Sequence, residues 1–293
     1  MGRAGILAAL ILAGAGRTTL AQKRGLAFWE PSPASVDRAL ALNPKKETER
    51  YAFLRDSFVN YECAGPRMNT QAVGKHGRKN LVCTLPGTTS ETIIVVARYD
   101  DRGKAYPTWA DALMLPLLYH ALRAQPRQDT FVFAGLDGDE GERVFFHQWH
   151  EPSQPQPAVV FVLDRLGLGN PRLVLKLPKH SRNTGGARTG SEASRLAIMR
   201  DAGTKTAELM NIPDPSGVRV VSYNDSMGLN EQYDRVTEST LAQENWESLE
   251  AILYSEIHTS SGTWAFHEDF DFLAWYLCEI DAALKPGEDA AAH

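Results

Sequence analysis

FVFAGLDGDEGE, residues 131 to 142, is an apolar run of strand-forming residues that ends in Asp137, Gly138, Asp139 and Glu140. Adjacent acids at the carboxyl end of a buried strand mark the place where an open α/β sheet puts its ligand. Carboxylates buried without compensation cost several kcal/mol, so such acids must face solvent, a cation or a metal.

Further strand-like runs surround this one: Thr92–Arg98 (TIIVVAR), Thr130–Leu136 (TFVFAGL), Ala158–Leu163 (AVVFVL), Arg172–Leu177, Val218–Ser222 and Glu250–Ser255. Helical spacing falls between or after them, at Asp111–Arg123, Gly141–Trp149, Glu192–Met210 and Glu268–Leu284, and an earlier helix is expected over Ala34–Phe58. Continuous apolar strands alternating with helices predict an α/β three-layer sandwich, its mixed, mostly parallel central sheet covered by helices on both faces. No internal repeat or low-complexity linker interrupts the pattern, so residues 22–285 read as one domain, with a frayed tail at 286–293.

At 293 residues and 43% apolar content the chain can bury a substantial core. A net charge of −5, with basic residues scattered, argues against a nucleic-acid partner. Met1-Gly2-Arg3, an apolar run over Ala4–Gly16 and small residues near Thr19-Leu20-Ala21 form a secretory signal pattern over residues 1–21, too short for a spanning helix. The expected location is therefore secreted or periplasmic, with no membrane association after cleavage. Three cysteines are compatible with an oxidising compartment; Cys63 and Cys83, both in strand-like stretches, are expected to pair, whereas Cys278 sits at helical spacing among apolar residues.

Four strand ends carry residues suited to a site. Arg98-Tyr99-Asp100-Asp101 follows the first strand, Asp139-Glu140 the second and Asp164 the third, and His258-Thr259 lies three residues beyond Ser255. Carboxylates and an imidazole meeting at one sheet edge are donors for a metal such as zinc. No phosphate-cradling glycine motif and no GxSxG nucleophile elbow is present.

These segments, over roughly residues 80–284, resemble the secreted zinc aminopeptidase and glutaminyl cyclase superfamily. ETIIVVARYDDRG is similar to its His-x-Asp strand, FVFAGLDGDEG to its acidic-pair strand, FVLDRLG to the following Asp, and EAILYSEIHTSSG to its terminal His-Thr. The resemblance implies a zinc-dependent exopeptidase acting on peptide or protein N-termini. Asp139 would be the general base, Glu140 and His258 ligands of one zinc, Asp164 a ligand of a second, Asp111 a bridge, and Asp100 a carboxylate supporting the ligands. A zinc-bound water with its pKa lowered toward ~7 beside a carboxylate base is a hydrolytic pair.

The chain also departs from that pattern. Arg98 stands at the metal-binding His, and a guanidinium keeps its proton and cannot ligate zinc. The expected metal content is therefore one zinc, through Asp111, Glu140 and His258, or none, with Arg98 placing its charge where a metal stood and pairing with Asp164. Asp139 replaces Glu, shortening the base by one methylene, a change of about an ångström that can cost ~100-fold in rate. Aligning the helices without a gap puts Pro107 at the bridging position and a shift of four recovers Asp111, which reads equally as a helix first-turn acid. Three readings follow: an aminopeptidase-like hydrolase, a non-catalytic peptide- or protein-binding module, and a glutaminyl cyclase-like acyltransferase.

Overall fold

The computed structural model describes residues 29–75, 77–89, 91–100, 109–125, 127–150, 157–164, 166–167, 171–176, 190–210, 218–221, 249–255 and 263–284. The signal pattern, the tail and His258 lie outside them. Among the described residues eight strands form one sheet: β1 (Met68–Val73), β2 (Arg78–Leu85), β3 (Thr92–Arg98), β4 (Thr130–Leu136), β5 (Val159–Asp164), β6 (Pro171–Lys176), β7 (Val218–Val221) and β8 (Leu249–Ser255), in the order β1-β2-β4-β3-β5-β8-β6-β7. The central four, β4-β3-β5-β8, run parallel, while β2 joins β4 and β6 joins β8 antiparallel. This is the mixed, mostly parallel sheet the alternating pattern predicts. Its consequence for function is that β3, β4, β5 and β8 all end on the same edge.

The helices are α1 (Pro33–Leu42), α2 (Glu47–Asn60), α3 (Trp109–Arg123), α4 (Gly138–His147), α5 (Gly190–Met210) and α6 (Thr263–Ala283). Side chains alternate across a strand. Along β3, Ile93, Val95 and Ala97 join a large core that includes α1, α2, α3, α5 and α6, whereas Ile94 and Val96 join a smaller one closed by Phe145 and Phe146 of α4. Both faces of the sheet are thus covered. Every residue of β3 is buried, so its apolar run is continuous rather than alternating. Among the described residues no helix is long and apolar enough to cross a membrane.

Two local expectations change. The helix expected over Ala34–Phe58 is two helices, parted where Asn43 takes φ 25° before Pro44. The buried Arg50 closes that break, donating to the Pro44 carbonyl (2.6 Å), Asn43 Oδ1 (2.8 Å) and, across to β3, the Tyr99 carbonyl (2.9 Å). Cys63 does bond to Cys83, but from the turn after α2 rather than from a strand. That bridge, together with the β1–β2 register of Met68 opposite Cys83, fixes the hairpin against the helical layer.

Candidate functional site

The parallel strands deliver their last residues to one edge, and Arg98 is the centre of what gathers there. The period-two rule puts Arg98 on the α4 side of the sheet, with Ile94 and Val96. Its Nε and Nη2 donate to the two oxygens of Asp100, each at 3.1 Å, and Nη1 donates to Asp139 Oδ1 at the start of α4. The side chain is 8% exposed and Asp100 is fully buried, so the fork pairs two charges in a place where neither is tolerated alone. Burial works against the guanidinium charge, but the hydrogen bonds and charge of Asp100, with Asp139 and Glu142, more than offset it and hold the Arg98 pKa above its ordinary value.

The acidic pair is aimed by the way α4 begins. Gly138 takes φ +68°, a left-handed conformation that only glycine adopts freely, turning β4 directly into α4. Asn80 of β2 then clamps this turn: its Oδ1 accepts the Asp137 amide (3.0 Å) and its Nδ2 donates to the Gly141 carbonyl (2.7 Å). A Cβ on Gly141 would lie 2.4 Å from Asn80 Oδ1, so the clamp requires a glycine there. The helix starts three residues before the Gly141 that sequence spacing suggested, which places Asp139 and Glu142 on one face, three residues apart.

Asp139 and Glu140 therefore diverge. Asp139 meets Arg98, and Glu140 turns to β2, where its carboxylate accepts from Arg78 Nη2. Arg78 also approaches Asp137 Oδ1 at 3.9 Å. Each acid of the pair is met by an arginine from a different strand.

A pocket opens beside this pairing, lined by Arg98, Asp111, Glu142 and Asp164 over a floor that includes Val96 and Val162. Asp164 reaches it from the end of β5, and Asp111 from the first turn of α3. Asp111 is buried, and its Oδ1 accepts the Leu166 amide at 2.7 Å, so it holds the turn that follows β5. That contact is neither a cap on its own helix nor a bond to another named site residue. Glu142, which the sequence reading passed over, is buried at the wall. Its signal was present: it lies one helical turn beyond Asp139.

Behind Arg98, the carboxylates of Glu47, Asp100 and Asp137 place oxygens within 4.8 Å of one another, the single group of three metal-type donors so close among the described residues. Asp100 there carries the Arg98 fork, and Asp137 Oδ2 lies 3.1 Å from the Tyr99 hydroxyl, which is also 2.6 Å from the Lys79 carbonyl. Burial, with the charge and hydrogen bond of Asp137, raises the Tyr99 pKa and keeps the phenol protonated.

These positions test the fit of zinc. Asp111 and Asp164 share the pocket, but Asp111, Glu140 and Asp164 do not form one ligand group, and Glu140 is bonded to Arg78. Arg98 adds an obstacle of another kind: a guanidinium keeps its proton and offers no lone pair to an ion. Asp100 and Asp139 already neutralise that guanidinium. The described residues do not fit a zinc held through Glu140.

No protein-family profile and no curated protein matches the sequence. Solved structures do match the fold. The chain is similar to the glutaminyl cyclase of an Acidobacteriales bacterium (TM-score 0.52, 15% identity, 95% of this chain and 94% of that one). It is also similar to the glutaminyl cyclase of Porphyromonas gingivalis (0.51, 12%, 91% and 99%) and to the LapA aminopeptidase of Legionella pneumophila (0.51, 10%, 97% and 72%). At these identities the likeness is one of fold.

Proposed function

We propose that this chain is a non-catalytic member of the aminopeptidase and glutaminyl cyclase fold that binds the free amino terminus of a peptide or protein. One observation carries the reading: the two acids at the start of α4, Asp139 and Glu140, are each bonded to an arginine, Arg98 and Arg78. A general base has to accept a proton from water, and a ligand has to offer a free lone pair to a metal. An acid held by a guanidinium is poorly placed for either task. What remains among the described residues is a pocket with Asp111, Glu142 and Asp164 around Arg98, three acids to one arginine, a charge balance suited to a protonated amine.

The test compares peptides with free and acetylated amino termini by calorimetry. Free termini should bind at least about tenfold more tightly, since an ion-paired hydrogen bond contributes about 1.5–3 kcal/mol, and Glu142→Gln or Asp164→Asn should remove most of that preference. Equal affinities for both peptides would sink the proposal.

A second reading, the single-zinc exopeptidase on peptide N-termini, draws on Asp111 and Asp164 sharing the pocket, and on β8, the strand leading toward His258, lying parallel beside β5. Asp111, Asp164 and His258 would hold the ion, which when bound supplies an acidified water. Stoichiometric zinc in purified protein, lost in His258→Ala together with aminopeptidase turnover, would establish that reading over the first. Zinc below about a tenth of stoichiometry after dialysis against the metal, with flat rates on aminoacyl and N-terminal glutaminyl substrates, excludes both the peptidase and the cyclase.

A further inference from the structure

At the opposite edge of the sheet, where β3 and β4 begin, a second set of buried acids has no arginine fork. Asp129, immediately before β4, is fully buried. Its Oδ1 accepts from the Thr89 hydroxyl at 2.7 Å, and its Oδ2 is buried with no hydrogen-bond partner among the described residues. Asp281, near the end of α6, bonds the same short segment: its carboxylate accepts the Asp129 amide at 2.7 Å and the Gln128 amide at 3.1 Å. The loop before β3 seals the junction from the other side. Thr88 and Thr89 donate their amides to the Gln128 carbonyl at 2.7 and 2.8 Å, and a Cβ on Gly87 would lie 2.2 Å from the Asp129 carbonyl carbon. The backbone of the two loops is thus packed closely where Asp129 is buried.

We propose that Asp129 and Asp281 form a proton-operated clasp, closed when Asp129 is protonated at mildly acid pH and loosened at the C-terminal end of α6 when Asp129 ionises toward neutrality. A buried carboxyl with one oxygen lacking a donor, beside a second carboxylate bonded to its own backbone, is the arrangement in which one proton relieves two like charges.

The groups facing the clasp decide its range. Burial first, then the charges of Asp281 and Glu91, push Asp129 up to about 6 against the opposing Thr89 bond. Burial also raises Asp281, against its backbone hydrogen bonds and the charge of Arg127. Glu91 is paired with Arg195 of α5 at 3.3 Å. Cys278, on α6 near Asp281 and Glu279, is pushed up to about 12 by burial and stays neutral throughout. The folded state thus binds the Asp129 proton more tightly than the unfolded chain, whose value is near 3.8. The stability from this group is complete below about 4 and is lost as pH rises through about 6.

The experiment uses the intact chain. Its unfolding midpoint should fall by about 5 °C between pH 5 and pH 7.5. Over the same range the amides of Gln128, Asp129 and the last turn of α6 should lose protection against hydrogen exchange about tenfold, after correction for the intrinsic rate. Asp129→Asn keeps an acceptor for Thr89 and removes the titration, so its slope over this range should be less than half that of the wild type. An undiminished slope in Asp129→Asn overturns the clasp, as does pH-independent protection of the α6 end. Should Asp129→Asn not fold, the carboxyl carbon of Asp129 is titrated by NMR in the wild type, where a midpoint near 6 supports the clasp and one near 4 overturns it.

Discussion

The two edges of the sheet both gather carboxylates, Asp100 and Asp129 fully buried among them, and meet their charge with different means. At the edge where β3, β4 and β5 end, guanidinium groups face the acids: Arg98 forks onto Asp100 and reaches Asp139, and Arg78 holds Glu140. At the other edge Asp129 and Asp281 are served mainly by a hydroxyl and two backbone amides, and Asp129 lies high enough to keep a proton near pH 6. At the first edge the counterions are fixed side chains of β2 and β3. Protons make the second edge sensitive to pH. A buried acid therefore reveals its role by what neutralises it, and its mere presence at a strand end does not.

Removing the counterion should give the largest effect. Arg98→Met removes the fork from the buried Asp100, and urea unfolding should show a loss of about 4 kcal/mol. If the loss is below about 1 kcal/mol, the fork does not hold this edge. Adding Asp100→Asn to that variant should recover more than half of the loss, a non-additivity that strictly additive double-mutant values would contradict. Arg98→Lys keeps the charge but not the bidentate geometry, and should fall between, at about 2 kcal/mol. The lower edge should respond in the opposite sense: at pH 7.5, Asp129→Asn should unfold at a temperature no lower than the wild type, and a drop of more than about 5 °C would show that ionised Asp129 stabilises the fold. The smallest effect belongs to Arg78→Ala. Glu140 is 41% exposed, so their pair contributes at most about 1 kcal/mol, and a larger loss would mean that the approach of Arg78 to Asp137 dominates.

Most of this frame was readable along the chain. TIIVVAR, TFVFAGL and AVVFVL carry too many consecutive apolar residues for a half-exposed strand, and the helices between them demand parallel crossovers. The site was harder to read. Asp100, Asp111, Asp139 and Asp164 do come to one edge with Arg98, but the partners that define them are distant in sequence. Arg78 lies 62 residues from Glu140, Asn80 lies 57 from Asp137, and Asp111 lies 55 from the Leu166 amide that it accepts. No local spacing encodes such contacts. Arg98 was expected to pair with Asp164, which lines the same pocket; its fork closes on Asp100, two positions along the same strand exit. The divergence of Asp139 and Glu140 was hidden for a local reason: the left-handed Gly138 starts α4 early, and adjacent residues in a helix point about 100° apart.

The bridge between Cys63 and Cys83 closes a loop of 20 residues around β1 and the start of β2. In the chain-entropy account such a closure restricts the unfolded ensemble by about 3 kcal/mol. The restricted segment includes Arg78 and Asn80, the residues that hold Glu140 and clamp the start of α4. The bridge therefore stabilises the segment that aims the start of α4. A thiol-rich environment would lower the stability of that segment without altering a single acid at the strand ends.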